Sequence, residues 1–278
     1  FIMRGGNPGL VAVVLAAGKG TRMKSDKPKV LHNICGKPMI DHVIDSIKGA
    51  GIDNIVVIVG HKGEEVQKSL GKRATIVFQH EQLGTAHALL QAHSVLEGFT
   101  GHILVVCGDT PLVSSSTLSK LVEESKRTRA AAIVLTAFLD EPTGYGRIIR
   151  DSRGEIIKIV EQKDASPDEL IIKEINTGIY CFAAEGLFEA LSSLKSDNAQ
   201  GEYYLTDVIA YYKNKVAKIS TASVVDPVEI MGINDRKQMA FVESVMRVKI
   251  QDRLMLSGVT IIDPNTTYIN DSVIIGKD

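Results

Sequence analysis

The stretch Leu10–Met23, LVAVVLAAGKGTRM, decides how the rest of the chain is read. Leu10–Ala16 is apolar without alternation, the pattern of a strand buried on both faces. Glycine and positive charge then follow abruptly, and a glycine-rich turn after a strand offers backbone N–H groups to an anion. A dinucleotide fingerprint needs a third glycine or alanine where Met23 stands, and an acidic residue closing the second strand. That strand, IVVIVGHKG, ends instead in Gly60-His61. A P-loop needs four residues between its first glycine and a Gly-Lys-Ser/Thr, and that spacing is absent. What remains is a glycine loop followed by Arg22, Lys24, Lys27 and Lys29, a density of cations suited to a triphosphate. A solvated basic loop is the competing reading of this segment by itself. Pro28 stiffens the backbone and can hold a neighbouring lysine toward the phosphates.

Outward from this stretch, short β-branched runs alternate with amphipathic ones. Leu10–Ala16, Asn54–Gly60, Ala74–Phe78, His102–Cys107 and Ala131–Phe138 read as strands. Met39–Ala50, Gly63–Leu70, Thr85–Leu96 and Ser116–Arg127 carry helical spacing. The alternation predicts a Rossmann-like α/β fold, a doubly wound and mostly parallel sheet. Ligands of such sheets lie beyond the carboxyl ends of the strands, here the loops after Ala16, Phe78 and Cys107.

In the second half, Gly144–Gln162 reads as a hairpin turning near Ser152-Arg153-Gly154, Glu174–Ala183 as a strand and Gln200–Tyr212 as helix. These form a substrate-side lobe over the sheet. From Asp235 to Ser257 one long helix is expected, with Met239, Val242, Met246, Ile250 and Leu254 in a single apolar stripe. It reads as a helix packed on the body or as a strut to another domain, and the last twenty residues favour the strut. The final segment, GVTIIDPNTTYINDSVIIGKD, spaces Ile262, Ile269 and Ile275 without helical period, like the first coil of a hexapeptide-repeat β-helix cut short.

The chain has 278 residues, 44% hydrophobic and 23% charged, a composition that fits a globular enzyme. A formal net charge of −1 provides no basic field for nucleic acid or acidic membrane, so an anionic ligand must meet local charges. Cys35, Cys107 and Cys181 form no disulfide framework, which predicts a reducing, cytoplasmic setting, with Cys107 and Cys181 as small core residues. FIMRGGNPG lacks the apolar segment of a signal peptide and reads as a disordered lead-in. No apolar run approaches the roughly 18–20 residues of a membrane span. His87 and His93 flank a helical segment without the ligand spacing of a zinc site.

Asp109, in ILVVCGDTPL, follows an apolar strand and a glycine, where an acid can hold Mg²⁺; a turn cap is the alternative. Together LAAGKGTRM, KPKVL and GDTPL resemble the sugar-nucleotide pyrophosphorylases. EQLGTAHAL, PTGYGRI, IVEQKDA, EINTGIY, NAQGEYYLTD and GINDR then follow in order. They narrow the likeness to the uridylyltransferase domain of the bacterial bifunctional N-acetylglucosamine-1-phosphate uridylyltransferase/glucosamine-1-phosphate acetyltransferase family, from about Val11 to the chain end.

The resemblance implies an order of parts: a lead-in over residues 1–9, the uridylyltransferase domain over 10–234, a linker helix over 235–257, and the start of a left-handed β-helix over 258–278. It also implies roles. Leu15, Ala16, Ala17 and Gly18 wrap the nucleotide, and Gln79, Gly84 and Thr85 read uracil. Cys107, Gly108 and Asp109 border the nucleotide, with Cys107 contributing mainly backbone where other members carry tyrosine. Arg22 and Lys29 are the catalytic cations neutralising the phosphates. Asp109 and Asn234 hold Mg²⁺, and Gly146, Glu161, Asn176, Tyr204, Thr206 and Asn234 line the amino-sugar side. The implied substrates are UTP and N-acetylglucosamine 1-phosphate; no general base is required, because a sugar phosphate is already anionic at neutral pH. A homotrimer and the acetyltransferase activity are implied only with a full β-helix. Two rivals stay open: another pair such as dTTP with glucose 1-phosphate, and a non-catalytic sugar-nucleotide sensor. Thr206-Asp207, after two tyrosines, suggests an acid for catalysis, and a helix cap is at least as good a reading.

Overall fold

The computed structural model describes residues 9–278, so all of the expected lead-in except Gly9 lies outside the described residues. In chain order the elements are β1 Leu10–Ala16, β2 Asn33–Ile34, β3 Lys37–Pro38, α1 Met39–Gly49, β4 Ile55–Val59, α2 Gly63–Leu70 and β5 Thr75–Phe78. Then come α3 Thr85–Gln91, α4 His93–Leu96, β6 His102–Cys107, α5 Ser115–Thr128, β7 Ala132–Phe138, β8 Arg147–Arg150 and β9 Ile156–Val160. The rest are α6 Pro167–Leu170, β10 Glu174–Ala183, α7 Leu187–Ser193, α8 Asp207–Asn214, β11 Ile219–Ser223 and α9 Arg236–Leu256.

The main sheet runs β11-β7-β10-β6-β1-β4-β5. β1 is parallel to both β4 and β6, β4 to β5, and β11 to β7. β10 runs antiparallel between β6 and β7, which makes the sheet mixed at that point. β1 is apolar throughout because both its faces are covered. Leu10, Ala12 and Val14 join the core beneath α1, α2 and α5, whereas Val11 and Val13 join the core beneath α3, α7 and α8. Each fully buried Val or Ile contributes up to about 1.5–3 kcal/mol. The chain leaves β1 toward β4 and β5 and later returns to β6 on β1's other side. The carboxyl ends of β1 and β6 therefore flank a switch point, where such sheets bind ligands.

The expected hairpin is β8 and β9, paired antiparallel, and β8 also meets β10 at Ile175↔Arg147. Two expectations shift. The helical run Thr85–Leu96 divides at Ala92, whose N–H bonds the Leu89 carbonyl three residues back. Helix begins only at Asp207 rather than Gln200, because the preceding backbone has other partners. Tyr203 N–H donates to the Leu83 carbonyl, the Tyr203 carbonyl accepts from Ala86, and Leu205 N–H donates to Thr85 Oγ1.

The long helix packs on the body, which leaves the strut reading untouched. Val242, Ile250 and Leu254 are buried in a third cluster with Met23, Ile34, Met39, Leu112 and Ile233. Gln251, 2% exposed, donates through Nε2 to the carbonyls of Pro264 at 2.7 Å and Thr267 at 2.6 Å, tying the final segment back onto α9. Asp271 N–H donates to the Cys35 carbonyl at 2.9 Å, and Lys37 pairs with Asp271 at 2.9 Å. Residues 258–278 form turns without a strand, and Ile262 and Ile274 are exposed.

Candidate active site

A cleft of about 510 Å³ opens at the carboxyl ends of β1, β5 and β6. Its floor is the turn that follows β1. Leu15 and Ala16 are half-buried, Ala17 is buried, and Gly18 and Lys19 are exposed to the cleft. Gly20 adopts φ +62, and a Cβ there would stand 2.8 Å from the Lys29 Cβ, so glycine is what allows Lys29 to pass beside the loop. Thr21–Met23 then form one 3-10 turn that drives Met23, 1% exposed, into the third cluster. The residue that argued against a dinucleotide fingerprint is thus the anchor of the loop.

The cations of this segment separate. Lys29 and Arg22 line the cleft, as does Lys19, which sequence reasoning passed over; Lys24 and Lys27 do not. Pro28 precedes the 3-10 turn Lys29–Leu31 and aims Lys29 inward. The Lys29 ammonium forms an ion pair with Asp109 Oδ2 and donates to Asn234 Oδ1 at 3.3 Å. Arg22 is exposed and makes no ion pair among the described residues.

Asp109 sits just beyond β6. Gly108 is buried beneath the cleft rather than on its wall, and its N–H donates to the Leu15 carbonyl at 2.9 Å, binding the two strand ends together. The Asp109 carbonyl accepts from Ile233 N–H at 2.9 Å. That bond brings in Asn234, whose own N–H donates to Gln238 Oε1 at 2.7 Å. Gln238 N–H donates in turn to Asp235, the N-cap of α9, at 2.8 Å. The first turn of α9 therefore positions Asn234 opposite Asp109. Two oxygens from distant segments converge on one ammonium, and such a donor set fits a hard divalent cation. Among the described residues no group of three or more His, Cys, Asp or Glu could hold a metal. Two protein oxygens suit Mg²⁺, which keeps several waters and binds phosphate oxygens for the remainder.

On the opposite wall, Gln79 follows β5 and is 3% exposed. Its Nε2 donates to the Gly84 carbonyl at 3.2 Å. Gly84 has φ +116, and a Cβ would stand 2.5 Å from the Tyr203 carbonyl oxygen, so only glycine fits there. Thr85 begins α3 and accepts from Leu205 N–H at 3.0 Å. Gln82, Ala88, Thr21, Val30 and Glu202 also line this cleft and were missed from sequence. Gln82 and Ala88 lie inside the quoted EQLGTAHAL, Glu202 inside NAQGEYYLTD, Thr21 inside LAAGKGTRM and Val30 inside KPKVL, so membership of those motifs was the available signal.

The residues expected on the amino-sugar side form a second polar group. Gly146, Glu161, Asn176, Tyr204 and Thr206 do not line the cleft wall itself, whereas Asn234 does. Thr206 Oγ1 donates to Glu161 Oε1 at 3.3 Å, and the Gly146 carbonyl accepts from Asn176 N–H at 2.9 Å. The Asn176 Oδ1 accepts from Gly178 N–H at 3.2 Å, while its Nδ2 donates to the Tyr180 hydroxyl at 2.7 Å. These bonds span an irregularity in β10 between Asn176 and Tyr180, where Gly178 has φ +78. Tyr204, 6% exposed, accepts from Gln200 Nε2 at 2.9 Å. Thr206 stands at the N-cap position of α8 but makes no side-chain cap bond; its hydroxyl serves Glu161 instead. Burial raises the Glu161 carboxyl above the usual carboxylate range; the Thr206 hydroxyl opposes that rise, and Asp207 and Asp164 add to it.

The two groups meet at Cys107, which donates through Sγ to the Gly178 carbonyl at 3.7 Å, and at the loop carrying Tyr203 and Leu205. Burial, with the Asp109 charge, pushes the Cys107 thiol up to about 12, so it lines the cleft as a neutral side chain. Cys181 is fully buried.

Known proteins agree with this architecture. A solved structure described as a glucose-1-phosphate thymidylyltransferase from Bacillus anthracis superposes with a TM-score of 0.68, over 85% of this chain and 94% of that one, at 23% identity. It shares the fold. "Bifunctional protein GlmU" of Pelotomaculum thermopropionicum is 52% identical over 97% of this chain, and that of Shouchella clausii 51% identical over 97%. The chain spans 59% and 60% of those relatives' lengths. The model of the MobA-like NTP transferase domain matches residues 12–213, which hold most of β1, the glycine loop, Lys29, Asp109 and most of the second polar group. With the fold, the cleft and this match together, the chain belongs to the MobA-like NTP transferase domain family and is a nucleotidyltransferase.

Proposed function

We propose that this chain transfers the uridylyl group of UTP to N-acetylglucosamine 1-phosphate, giving UDP-N-acetylglucosamine and pyrophosphate, with Mg²⁺ as cofactor. The observation that carries the reading is the convergence of Asp109 Oδ2 and Asn234 Oδ1 on the Lys29 ammonium beside the glycine loop. Half-identical relatives named as bifunctional GlmU proteins support the choice of substrates.

In this reading the sugar phosphate oxygen attacks the α-phosphorus in line, forming one P–O bond while the bond to pyrophosphate breaks. Lys29 and Arg22 neutralise the charge that accumulates on the leaving pyrophosphate. The N–H groups of the loop from Leu15 to Gly18 hold the nucleotide, and Gln79, Gly84 and Thr85 meet the base. Glu161, Asn176 and Thr206 orient the amino sugar, with Tyr204 and Gly146 completing the wall. Asp109 and Asn234 would hold Mg²⁺, which would supply positive charge against that of the phosphates. No proton need be taken from the nucleophile, so no side chain is assigned as general base.

A cytoplasmic location and a homotrimer formed through a complete β-helix accompany this reading, and no nucleic-acid or membrane partner does. Among the described residues no helix is long and apolar enough to cross a membrane.

The test is a pyrophosphate-release screen over nucleoside triphosphates and sugar 1-phosphates, with and without a chelator. Turnover of UTP with N-acetylglucosamine 1-phosphate, lost with chelator, is expected. A preference for dTTP with glucose 1-phosphate would replace the substrate pair, and UDP-N-acetylglucosamine binding without any turnover would make the protein a sensor.

A further inference from the structure

Behind the base side of the cleft lies a row of side chains that the roles above leave unused. Gln79 Nε2 donates to the Gly84 carbonyl at 3.2 Å and faces His87 Nδ1 at 3.0 Å. Both its N–H bonds are thereby engaged, while the side chain lines the cleft. On the other edge of the ring, His87 Nε2 lies 3.2 Å from Gln91 Nε2, which also donates to the His87 carbonyl at 3.0 Å.

A neutral imidazole carries one N–H and one lone pair, so it cannot accept from both amides. One glutamine must turn its oxygen to the ring. Turning Gln79, which is buried, would set Oε1 against the Gly84 carbonyl oxygen. Turning Gln91 in place would likewise bring Oε1 toward the His87 carbonyl oxygen, 3.0 Å away, but Gln91 is half-buried and its side chain can rotate clear of that carbonyl, whose helix-ladder donor remains. Gln91 is therefore the one that turns. Its Oε1 accepts from His87 Nε2–H, and His87 Nδ1 accepts from Gln79.

We infer that His87 is a positioning residue for base specificity. With the Gly84 carbonyl it holds the Gln79 amide so that Oε1 faces the cleft. An oxygen there accepts the N3–H of uracil and is repelled by the N3 lone pair of cytosine, so the row discriminates UTP from CTP. It does not discriminate uracil from thymine, which share that N–H. This inference rests on the uridylyl-transfer reading.

The experiment compares the parent chain with His87→Leu, His87→Asn and Gln91→Leu. It measures kcat and KM for UTP and CTP with N-acetylglucosamine 1-phosphate, and records the histidine side-chain ¹H–¹⁵N spectrum of the parent. The His87 resonances are assigned from their loss in His87→Asn. His87→Leu should lower the UTP-to-CTP ratio of kcat/KM about tenfold, mainly through the KM for UTP. His87→Asn, whose Oδ1 can stand near the Nδ1 position as an acceptor, should stay within about threefold of the parent. Gln91→Leu should fall between them, and the parent spectrum should show an unprotonated Nδ1 and a protonated Nε2. An unchanged ratio in His87→Leu, an equal loss for both nucleotides in His87→Asn, or a protonated Nδ1 would overturn the proposal. If His87→Leu fails to fold, the asparagine variant and the spectrum decide it. A parent that does not turn over UTP overturns the uridylyl reading instead, and the spectrum then judges the row by itself.

Discussion

The proposed nucleotide side and the proposed sugar side of this molecule are built on different plans. The nucleotide side stands at the ends of parallel strands and uses short, contiguous segments: the turn after β1, the loop after β5 and the end of β6. Its side chains bring positive charge, with Lys19, Arg22 and Lys29 on the wall. The proposed sugar side is assembled from single residues before β8, just past β9, on β10 and on the approach to α8, where hydrogen bonds between distant positions replace contiguity. Its electrostatics are reversed, because burial and neighbouring acids raise the carboxyls of Glu161 and Asp207. A triphosphate requires charge compensation, whereas a sugar requires oriented acceptors and donors. In the proposed reading those tasks fall to a backbone loop and a buried side-chain group.

The comparison is most directly broken at its junction with the metal. Asp109→Ala should lower kcat about 10³-fold while the fold, followed by circular dichroism, is retained. Near-parent activity with Mg²⁺ would remove Asp109 from the metal role. Lys29→Ala comes next, with an expected loss of about 10²-fold in kcat and little change in the KM for the sugar phosphate. An unchanged rate would move the charge-neutralising role to Arg22 or Lys19.

On the sugar side the effects should be smaller and should appear in KM. Glu161→Gln should raise the KM for N-acetylglucosamine 1-phosphate about tenfold, leaving nucleotide affinity unchanged in a calorimetric titration. The same variant carries a pH signature. A carboxyl whose folded pKa is raised contributes stability below its unfolded pKa, and loses that contribution as pH rises through the folded value. The melting temperature of Glu161→Gln should therefore gain on the parent as pH climbs from below the ordinary carboxylate range. The difference should level off once Glu161 is ionised in both folded and unfolded chains. A constant difference across that window would show that burial does not penalise the Glu161 charge. The mildest change is Thr206→Val, which removes a donor 3.3 Å from Glu161 Oε1. It should raise the sugar KM about threefold and, by removing a bond to the ionised form, move the Glu161 titration further upward.

The same division accounts for what could be read from residues alone. The strands of the parallel half were legible because their apolar runs match burial on both faces, as β1 shows by sending alternate residues to two cores. The glycine loop was legible because backbone chemistry is written in consecutive residues. The start of α8 was not: helical spacing reached back to Gln200, but Tyr203 and Leu205 bond to Leu83, Ala86 and Thr85. Cross-chain partners overrode local propensity there. Thr206 was read as a cap or a sugar contact, and only its distance to Glu161 shows where its hydroxyl goes.

By itself the sequence determined the α/β class, the order of most elements and the glycine loop with its following cations, all properties of neighbours along the chain. The tertiary structure alone decided which cation faces Asp109, that Met23 anchors the loop, and that α9 packs on the body and positions Asn234. It also decided that His87 stands between Gln79 and Gln91. Hydrogen bonds and ion pairs act over about 3 Å of space and are indifferent to separation in sequence, so no local pattern records them.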